Sequence, residues 1–231
     1  GSCFNEIDLE IPENTDCDET VTVKYKVYGP DNSISGPFNA SENSFEFGIG
    51  ISQVEWIMED NAGNISTCMQ QVVVNENENP VINCPSNDHF VFSSESDKCG
   101  FRIPDARMDA TANDNCSGVE LSHNYGDWAI PNSLEGATFP VGTTEVIWTA
   151  TDASGNTSSC KIKVTINDNE APEFVNCPSG TTFTVGLFSG ACEGGAIWSI
   201  PVAVDNCSGG SVVQTKGPAQ GSILETGIYP N

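Results

Sequence analysis

Apolar and polar side chains alternate with a period of two in several short stretches of the sequence, as expected for strands that bury one face. In residues 144–152, for instance, Val146, Trp148 and Ala150 fall on one face of such a strand. In residues 161–167 apolar positions again alternate with polar ones, and a turn-forming Asp-Ala-Ser-Gly-Asn stretch separates the two. The pattern predicts two strands joined as a β-hairpin.

No amphipathic segment of the sequence carries the start and stop signals of a helix, so no helix is predicted. Each stretch of about ninety residues instead predicts about seven short strands, which is typical of an immunoglobulin-like sandwich. Trp56 and Trp148 occupy equivalent strand positions and are predicted to lie in the core. The sequence therefore predicts an all-β chain of tandem immunoglobulin-like β-sandwiches with disulfides.

A long internal repeat organises the chain. Residues 54–80 return as residues 146–172, with an offset of 92 positions (146 − 54). Self-similarity at a fixed period is the signature of a tandem-repeat protein. We predict a divergent, N-terminally incomplete repeat at 1–79, a complete repeat at 80–171 and a C-terminally incomplete repeat at 172–231. The sequence is therefore expected to be a window from a longer array.

The charge of the chain restricts its partners. It holds 32 Asp and Glu against 8 Lys and Arg, which gives a net charge of −24. Such acidity repels nucleic acid and anionic lipid, and no apolar run is long enough to insert into a membrane, so neither is an expected partner. Motifs of serine hydrolases, metalloproteases and nucleotide-binding enzymes are also missing, so the chain is not expected to be an enzyme.

Ten cysteines are spread along the chain without a Cys-x-x-Cys pair, a distribution that favours disulfides formed outside the cell. The complete repeat carries four cysteines, which allow three connectivities. Pairing the first with the second and the third with the fourth in every repeat leaves only Cys3 and Cys207 without partners. A simple hairpin register, however, would not place Cys84 opposite Cys99. The predicted bonds are Cys84–Cys99, Cys116–Cys160, Cys17–Cys68 and Cys177–Cys192.

Several motifs of the chain resemble those of the hyalin repeat, or HYR domain. They are Asn-Cys-Pro-Ser at 83–86, Asp-Asn-Cys-Ser-Gly at 114–118, Phe-Pro-Val-Gly-Thr-Thr-Glu-Val-Ile-Trp at 139–148 and Asn-Asp-Asn-Glu-Ala-Pro at 167–172. The resemblance extends through residues 80–171. It implies an immunoglobulin-like sandwich of the kind found in extracellular and bacterial surface proteins, with a role in adhesion or extracellular assembly rather than in catalysis.

The repeats and the resemblance together favour a structural or adhesive segment of a large secreted or cell-surface protein, acting as a stalk or binding surface. Its expected partners are an extracellular protein, a carbohydrate ligand or neighbouring copies of itself. Two alternatives stay open, namely an accessory module of a secreted hydrolase and a subunit of a self-assembling filament. Trp128, which has no counterpart in the other repeats, is the candidate aromatic residue for ligand contact.

Acidic and amide side chains concentrate where one predicted repeat meets the next, and their oxygens are the ligands that calcium prefers. The stretch 165–174 also resembles the calcium-holding linker of cadherins, with Thr165 in place of the leading Asp. The alternative interpretation is a set of solvated turns, because Asn and Asp favour turn conformations. The candidate calcium ligands are Asn75, Glu76, Glu78, Asp114, Asp152, Asn167, Asp168, Glu170 and Asp205.

Overall fold

The computed structural model describes most of the chain, and the described part consists of strands, turns and loops without a helix. The described residues are 2–13, 21–116, 118–126, 132–175, 186, 189–190, 193–195, 200–207, 210–217 and 219–225. The prediction of an all-β chain is confirmed. Within these ranges no helix is long and apolar enough to cross a membrane.

The described residues form eighteen strands, most of them short. They are β1 (Phe4–Asp8), β2 (Thr22–Tyr28), β3 (Ile34–Asn39), β4 (Ser44–Gly48), β5 (Gly50–Glu59), β6 (Ile65–Val74), β7 (Val81–Asn83), β8 (His89–Ser93), β9 (Gly100–Arg102), β10 (Thr111–Asn113), β11 (Glu120–His123), β12 (Thr138–Pro140), β13 (Gly142–Thr151), β14 (Thr157–Asn167), β15 (Glu173–Phe174), β16 (Glu193–Gly195), β17 (Ala203–Val204) and β18 (Ile223–Glu225). The long hairpin predicted from the alternating pattern corresponds to β13 and β14.

The first six strands form two sheets with a shared core. β1 pairs with β4, while β3, β2, β5 and β6 form a four-stranded antiparallel sheet in that order. Alternation along each strand turns one face inward, so that Phe47 of β4 and Trp56 of β5 belong to the same core. The buried members of this core are Leu9, Tyr25, Val27, Ala40, Phe47, Val54, Trp56 and Val72. Two sheets packed in this way make a β-sandwich, as predicted.

Strands β7 to β14 repeat part of this pairing scheme, because β9 with β12 corresponds to β1 with β4, and β13 with β14 to β5 with β6. β7 pairs with β10, β9 pairs with β12, and β11, β13, β14 and β8 form a four-stranded sheet in which β8 runs parallel to β14. Phe139 of β12 is fully buried, as is Phe47 at the same position of β4 one repeat earlier. Trp148 of β13 is 0% exposed and Trp56 of β5 is 3% exposed, which confirms that both belong to the core.

The chain divides into two compact units. One comprises residues 1–86, 109–133 and 147–161, and the other comprises residues 87–108, 134–146 and 162–231. The first unit contains the whole of the first sandwich, and the second contains two further antiparallel pairs, β15 with β17 and β16 with β18. Neither unit coincides with a single predicted repeat, so the repeat boundaries near residues 80 and 172 stay a prediction.

Candidate cation and cross-linking sites at the repeat junctions

Two disulfides are present in the described residues. Cys3 is bonded to Cys116, with Cα atoms 5.1 Å apart, and Cys84 is bonded to Cys160, with Cα atoms 6.2 Å apart. Both separations lie in the ordinary range for disulfides. The predicted pairs Cys84–Cys99 and Cys116–Cys160 are therefore wrong, and Cys3, which the predicted pairing leaves without a partner, is bonded.

The strand topology explains why the predicted pairs fail. Cys84 directly follows β7, which pairs with β10, whereas Cys99 directly precedes β9, which pairs with β12. The two cysteines therefore flank strands of different sheets, although they are close in sequence. Cys160 lies within β14, so the Cys84–Cys160 bond ties the start of the repeat to its last long strand.

Three cysteines carry free thiols in the described residues. Cys68 is exposed, whereas Cys99 and Cys207 are half-buried. The predicted disulfides of Cys68 with Cys17 and of Cys99 with Cys84 are thus corrected, while Cys207, whose partner the sequence left open, has no bonded partner among the described residues. The predicted pair Cys177–Cys192 stays a prediction, because three cysteines lie outside the described residues, namely Cys17, Cys177 and Cys192.

Four of the predicted calcium ligands gather where the first two predicted repeats meet. This set, which we call junction 1, consists of Glu76, Glu78, Asp114 and Asp152. The carboxylates of Glu76 and Asp152 contact each other, and Asp114 is close enough for its charge to act on Glu76. Asn156 Nδ2 donates to Glu76 Oε2 at 2.6 Å and to Asp152 Oδ2 at 2.8 Å. One amide group therefore bridges two carboxylates.

The negative charges of junction 1 repel one another. Partial burial, together with the neighbouring carboxylates of Asp152 and Asp114, raises the pKa of Glu76. Burial also acts to raise the pKa of Asp152, but hydrogen bonds from Asn156 and Ser154 lower it overall. Neither Glu76 nor Asp152 forms a salt bridge with a described Lys or Arg. An added cation would relieve this repulsion.

The turn that carries Asp152 has a counterpart in the first repeat. Asp60 and Asp152 each accept hydrogen bonds of 2.8 Å from the backbone N–H groups two and four residues later. Gly63 and Gly155 follow with φ of +87° and +91°, in the left-handed region that favours glycine. Asp152 is 7% exposed and contacts Glu76, whereas Asp60 is half-buried and has no such carboxylate among its interactions.

A second acidic cluster lies where residues 80–171 meet residues 172–231. This set, which we call junction 2, consists of Asp168, Glu170 and Asp205. Carboxylate oxygens of Asp168 and Asp205 and the Sγ atom of Cys207 all lie within 4.8 Å of one another. Junction 2 therefore brings two of the candidate calcium ligands, Asp168 and Asp205, together with a thiol, and the backbone N–H of Glu170 donates to Asp168 Oδ1 at 3.1 Å.

One hydrogen bond recurs at both junctions. Asn115 Nδ2 donates to Glu78 Oε2 at 2.9 Å, and Asn206 Nδ2 donates to Glu170 Oε2 at 2.5 Å. Each asparagine is the middle residue of an Asp-Asn-Cys motif. The aspartate of each motif is a predicted calcium ligand, whereas the asparagine was not predicted to take part. Its recurrence in the motif is the signal that could have identified it.

The two remaining predicted calcium ligands, Asn75 and Asn167, belong to neither junction 1 nor junction 2. Asn75 directly follows β6 and Asn167 ends β14, and both are exposed. Within the described part of the chain, neither has a hydrogen bond to a carboxylate of junction 1 or junction 2. Trp128 lies outside the described residues, so its role in ligand contact stays a prediction. Calcium binding likewise stays a prediction.

Comparison with known proteins identifies one family model and several relatives that match the chain. Residues 76–166 match the family model of the HYR domain. The mouse protein "Sushi, von Willebrand factor type A, EGF and pentraxin domain-containing protein 1" is 30% identical over 168 residues, which are 72% of this chain and 4% of that protein. Hyalin of Strongylocentrotus purpuratus is 30% identical over 185 residues, 78% of this chain and 14% of hyalin. The chain thus spans a small part of either relative.

The solved structures that resemble the chain do so at low sequence identity. The repeats EC21-23 of human CDH23 match with a TM-score of 0.33 and 15% identity, covering 89% of this chain and 82% of that one. The fibronectin(III)-like modules of Clostridium thermocellum CbhA match with a TM-score of 0.30 and 13% identity, covering 67% of this chain and 83% of that one. At these scores the likenesses carry no functional conclusion.

Proposed function

Because residues 76–166 belong to the HYR domain family, we propose that this chain is a stalk or adhesive segment of a larger protein, and that calcium stiffens its repeat junctions. An extracellular module of the adhesion type is the reading that the HYR match, the two relatives and the disulfides support. The observation that carries the proposal is the recurrence of one junction geometry, an acidic cluster with the same asparagine-to-glutamate hydrogen bond.

The linker at residues 75–80 is held along its length, which is what a stalk requires. Three hydrogen bonds tie it to the second predicted repeat, and Pro80 fixes one backbone angle at its end. The Cys3–Cys116 disulfide adds a covalent tie between residues of the first and second repeats. The three hydrogen-bonded pairs are Glu76 with Asn156, Glu78 with Asn115, and Pro80 with Ser158. A linker fixed in this way limits bending between successive repeats.

Calcium is the cation that suits junction 1. It takes six to eight oxygen ligands and accepts carboxylates in flexible geometry. Glu76 and Asp152 bring their carboxylates into contact, the charge of Asp114 acts on Glu76, and no described Lys or Arg neutralises the contact between Glu76 and Asp152. Binding would place the positive charge between groups that otherwise repel each other, and it would join the linker to the turn of the second repeat.

We expect calcium to raise the thermal stability of the chain relative to the same protein in a chelator. Sites in extracellular modules bind with a Kd on the order of 10⁻⁴–10⁻³ M. About 10 mM calcium would then add about 1–3 kcal/mol, because a ligand that binds only the folded state stabilises it. Differential scanning calorimetry in calcium and in EGTA measures the shift, with magnesium as the second cation. An unchanged melting temperature would remove calcium from the proposal.

A matched pair of variants separates calcium binding from turn formation. Asp152→Asn and Asp60→Asn alter the same turn in two repeats, but only Asp152 contacts a second carboxylate. Both variants are expected to lose some stability in EGTA, since each turn loses an ionised acceptor. Only Asp152→Asn is expected to lose the calcium-dependent gain. Equal calcium responses in both variants would place the cation elsewhere in the chain.

As an adhesive surface, the chain would contact an extracellular protein, a carbohydrate or neighbouring copies of itself. The filament alternative requires self-association, which sedimentation velocity of the purified chain measures. We expect a single concentration-independent species, and growth of larger species with concentration would favour the filament instead. A catalytic domain in the same reading frame would favour the accessory-module alternative.

A further inference from the structure

Strand register shows that Cys3 and Cys99 occupy equivalent positions in successive repeats. In the β1–β4 pair Phe4 lies opposite Gly48, and in the β9–β12 pair Gly100 lies opposite Pro140. Gly48 and Pro140 are separated by the repeat offset of 92 (140 − 48). Phe4 and Gly100 are therefore equivalent, and a cysteine directly precedes each of them.

Cys116 and Cys207 are equivalent by an independent set of contacts. Each closes an Asp-Asn-Cys motif, and its backbone N–H donates to the aspartate of that motif, at 2.8 Å from Asp114 and at 2.9 Å from Asp205. The asparagine between them makes the glutamate hydrogen bond that both junctions share. Cys3 is bonded to Cys116 at junction 1, so the equivalent pair at junction 2 is Cys99 and Cys207.

The two thiols at junction 2 already lie against each other. Cys99 Sγ contacts the carbonyl oxygen of Asn206, just as Cys3 Sγ lies 2.9 Å from the carbonyl oxygen of Asn115. Cys207 Sγ lies 3.7 Å from the carbonyl oxygen of Lys98, and its side chain interacts directly with that of Cys99.

We propose that Cys99 and Cys207 form a disulfide that joins residues of the second and third predicted repeats, as Cys3–Cys116 joins those of the first and second. Each thiol loses one proton and one electron as the sulfur–sulfur bond forms. A disulfide oxidant such as oxidised glutathione takes up the two protons and two electrons and becomes two thiols. The resulting pattern is one bond within a repeat, Cys84–Cys160, alternating with one bond between repeats. It goes beyond the proposed function and does not depend on calcium.

Peptide mapping of the full chain, purified under oxidising conditions and alkylated before digestion, tests the bond directly. Trypsin combined with a protease that cleaves before Asp separates Cys207 from the other cysteines of the third repeat. We expect residues 99–102 to be linked to residues 205–216, and reduction to release both peptides. Recovery of Cys99 in a disulfide with any cysteine other than Cys207 would overturn the proposal. Recovery of Cys99 and Cys207 both in alkylated form would also overturn it.

A count of alkylated thiols in the folded protein is a second test, because the count changes in opposite directions depending on whether the bond exists. If the bond exists, Cys207→Ser releases Cys99 and raises the count by one. If it does not exist, the same substitution removes a free thiol and lowers the count by one. The exposed thiol Cys68 provides the control, since Cys68→Ser is expected to lower the count by one in either case. Intact-mass spectrometry after alkylation resolves both outcomes.

Discussion

Replacing both Cys84 and Cys160 with alanine is expected to lower the free energy of unfolding of the second repeat by about 4 kcal/mol. The bond closes a loop with a sequence separation of 76 residues, and removing it restores chain entropy to the unfolded state. Denaturation in guanidinium chloride, with hydrogen exchange of the β13 and β14 amides to assign the transition, measures the change. This loss would be a large share of the stability of a domain of this size.

Cys68→Ala is the matched control for that variant. Cys68 occupies the position of Cys160 one repeat earlier, but its thiol is exposed and free. Its replacement is expected to change the free energy of unfolding by less than about 0.5 kcal/mol. A double variant of Cys84 and Cys160 that behaved like this control would contradict a structural role for the bond.

Trp148→Ala is expected to cost about 3–5 kcal/mol, because it removes the largest fully buried side chain of β13 and leaves a cavity. Trp148 is 0% exposed and packs edge-on against His123, with ring centroids 4.9 Å apart. The same denaturation experiment measures the loss. The melting temperature of the first repeat should change little by comparison, because Trp56 anchors a separate core there.

An exposed strand residue provides the comparison for Trp148. Val91 in β8 is 55% exposed, so Val91→Ala removes little buried apolar area and should change stability by less than about 0.5 kcal/mol. A loss below about 1 kcal/mol for Trp148→Ala would mean that the tryptophan is not part of a close-packed core. Trp148 would then be a candidate for ligand contact instead.

The strands and the core were predictable because they depend on local pattern. Alternation identified β13 and β14, and the equivalence of Trp56 and Trp148 identified the two core positions. The acidic residues at the junctions were also visible, since they recur with the repeat. These features need no knowledge of which strand lies beside which.

The disulfide pattern was not predictable by the same means. A connectivity chosen to pair as many cysteines as possible within each repeat assumes that every repeat closes on itself. Cys3–Cys116 instead crosses from one predicted repeat to the next, which only the register of β1 with β4 and the position of the Asp-Asn-Cys motif make visible. The asparagines Asn115 and Asn206 were missed for a similar reason, because their hydrogen-bond partners lie in another part of the chain.

The Cys3–Cys116 bond gives the molecule a second covalent route around the linker at residues 75–80. A protease that cuts one peptide bond in that segment leaves both fragments attached, because sulfur still connects what lies before the cut with what lies after it. Shedding of the distal part then needs a reductant as well as a protease. In surroundings rich in peptidases but poor in thiols, a surface protein built in this way survives single cleavages without losing its outer end.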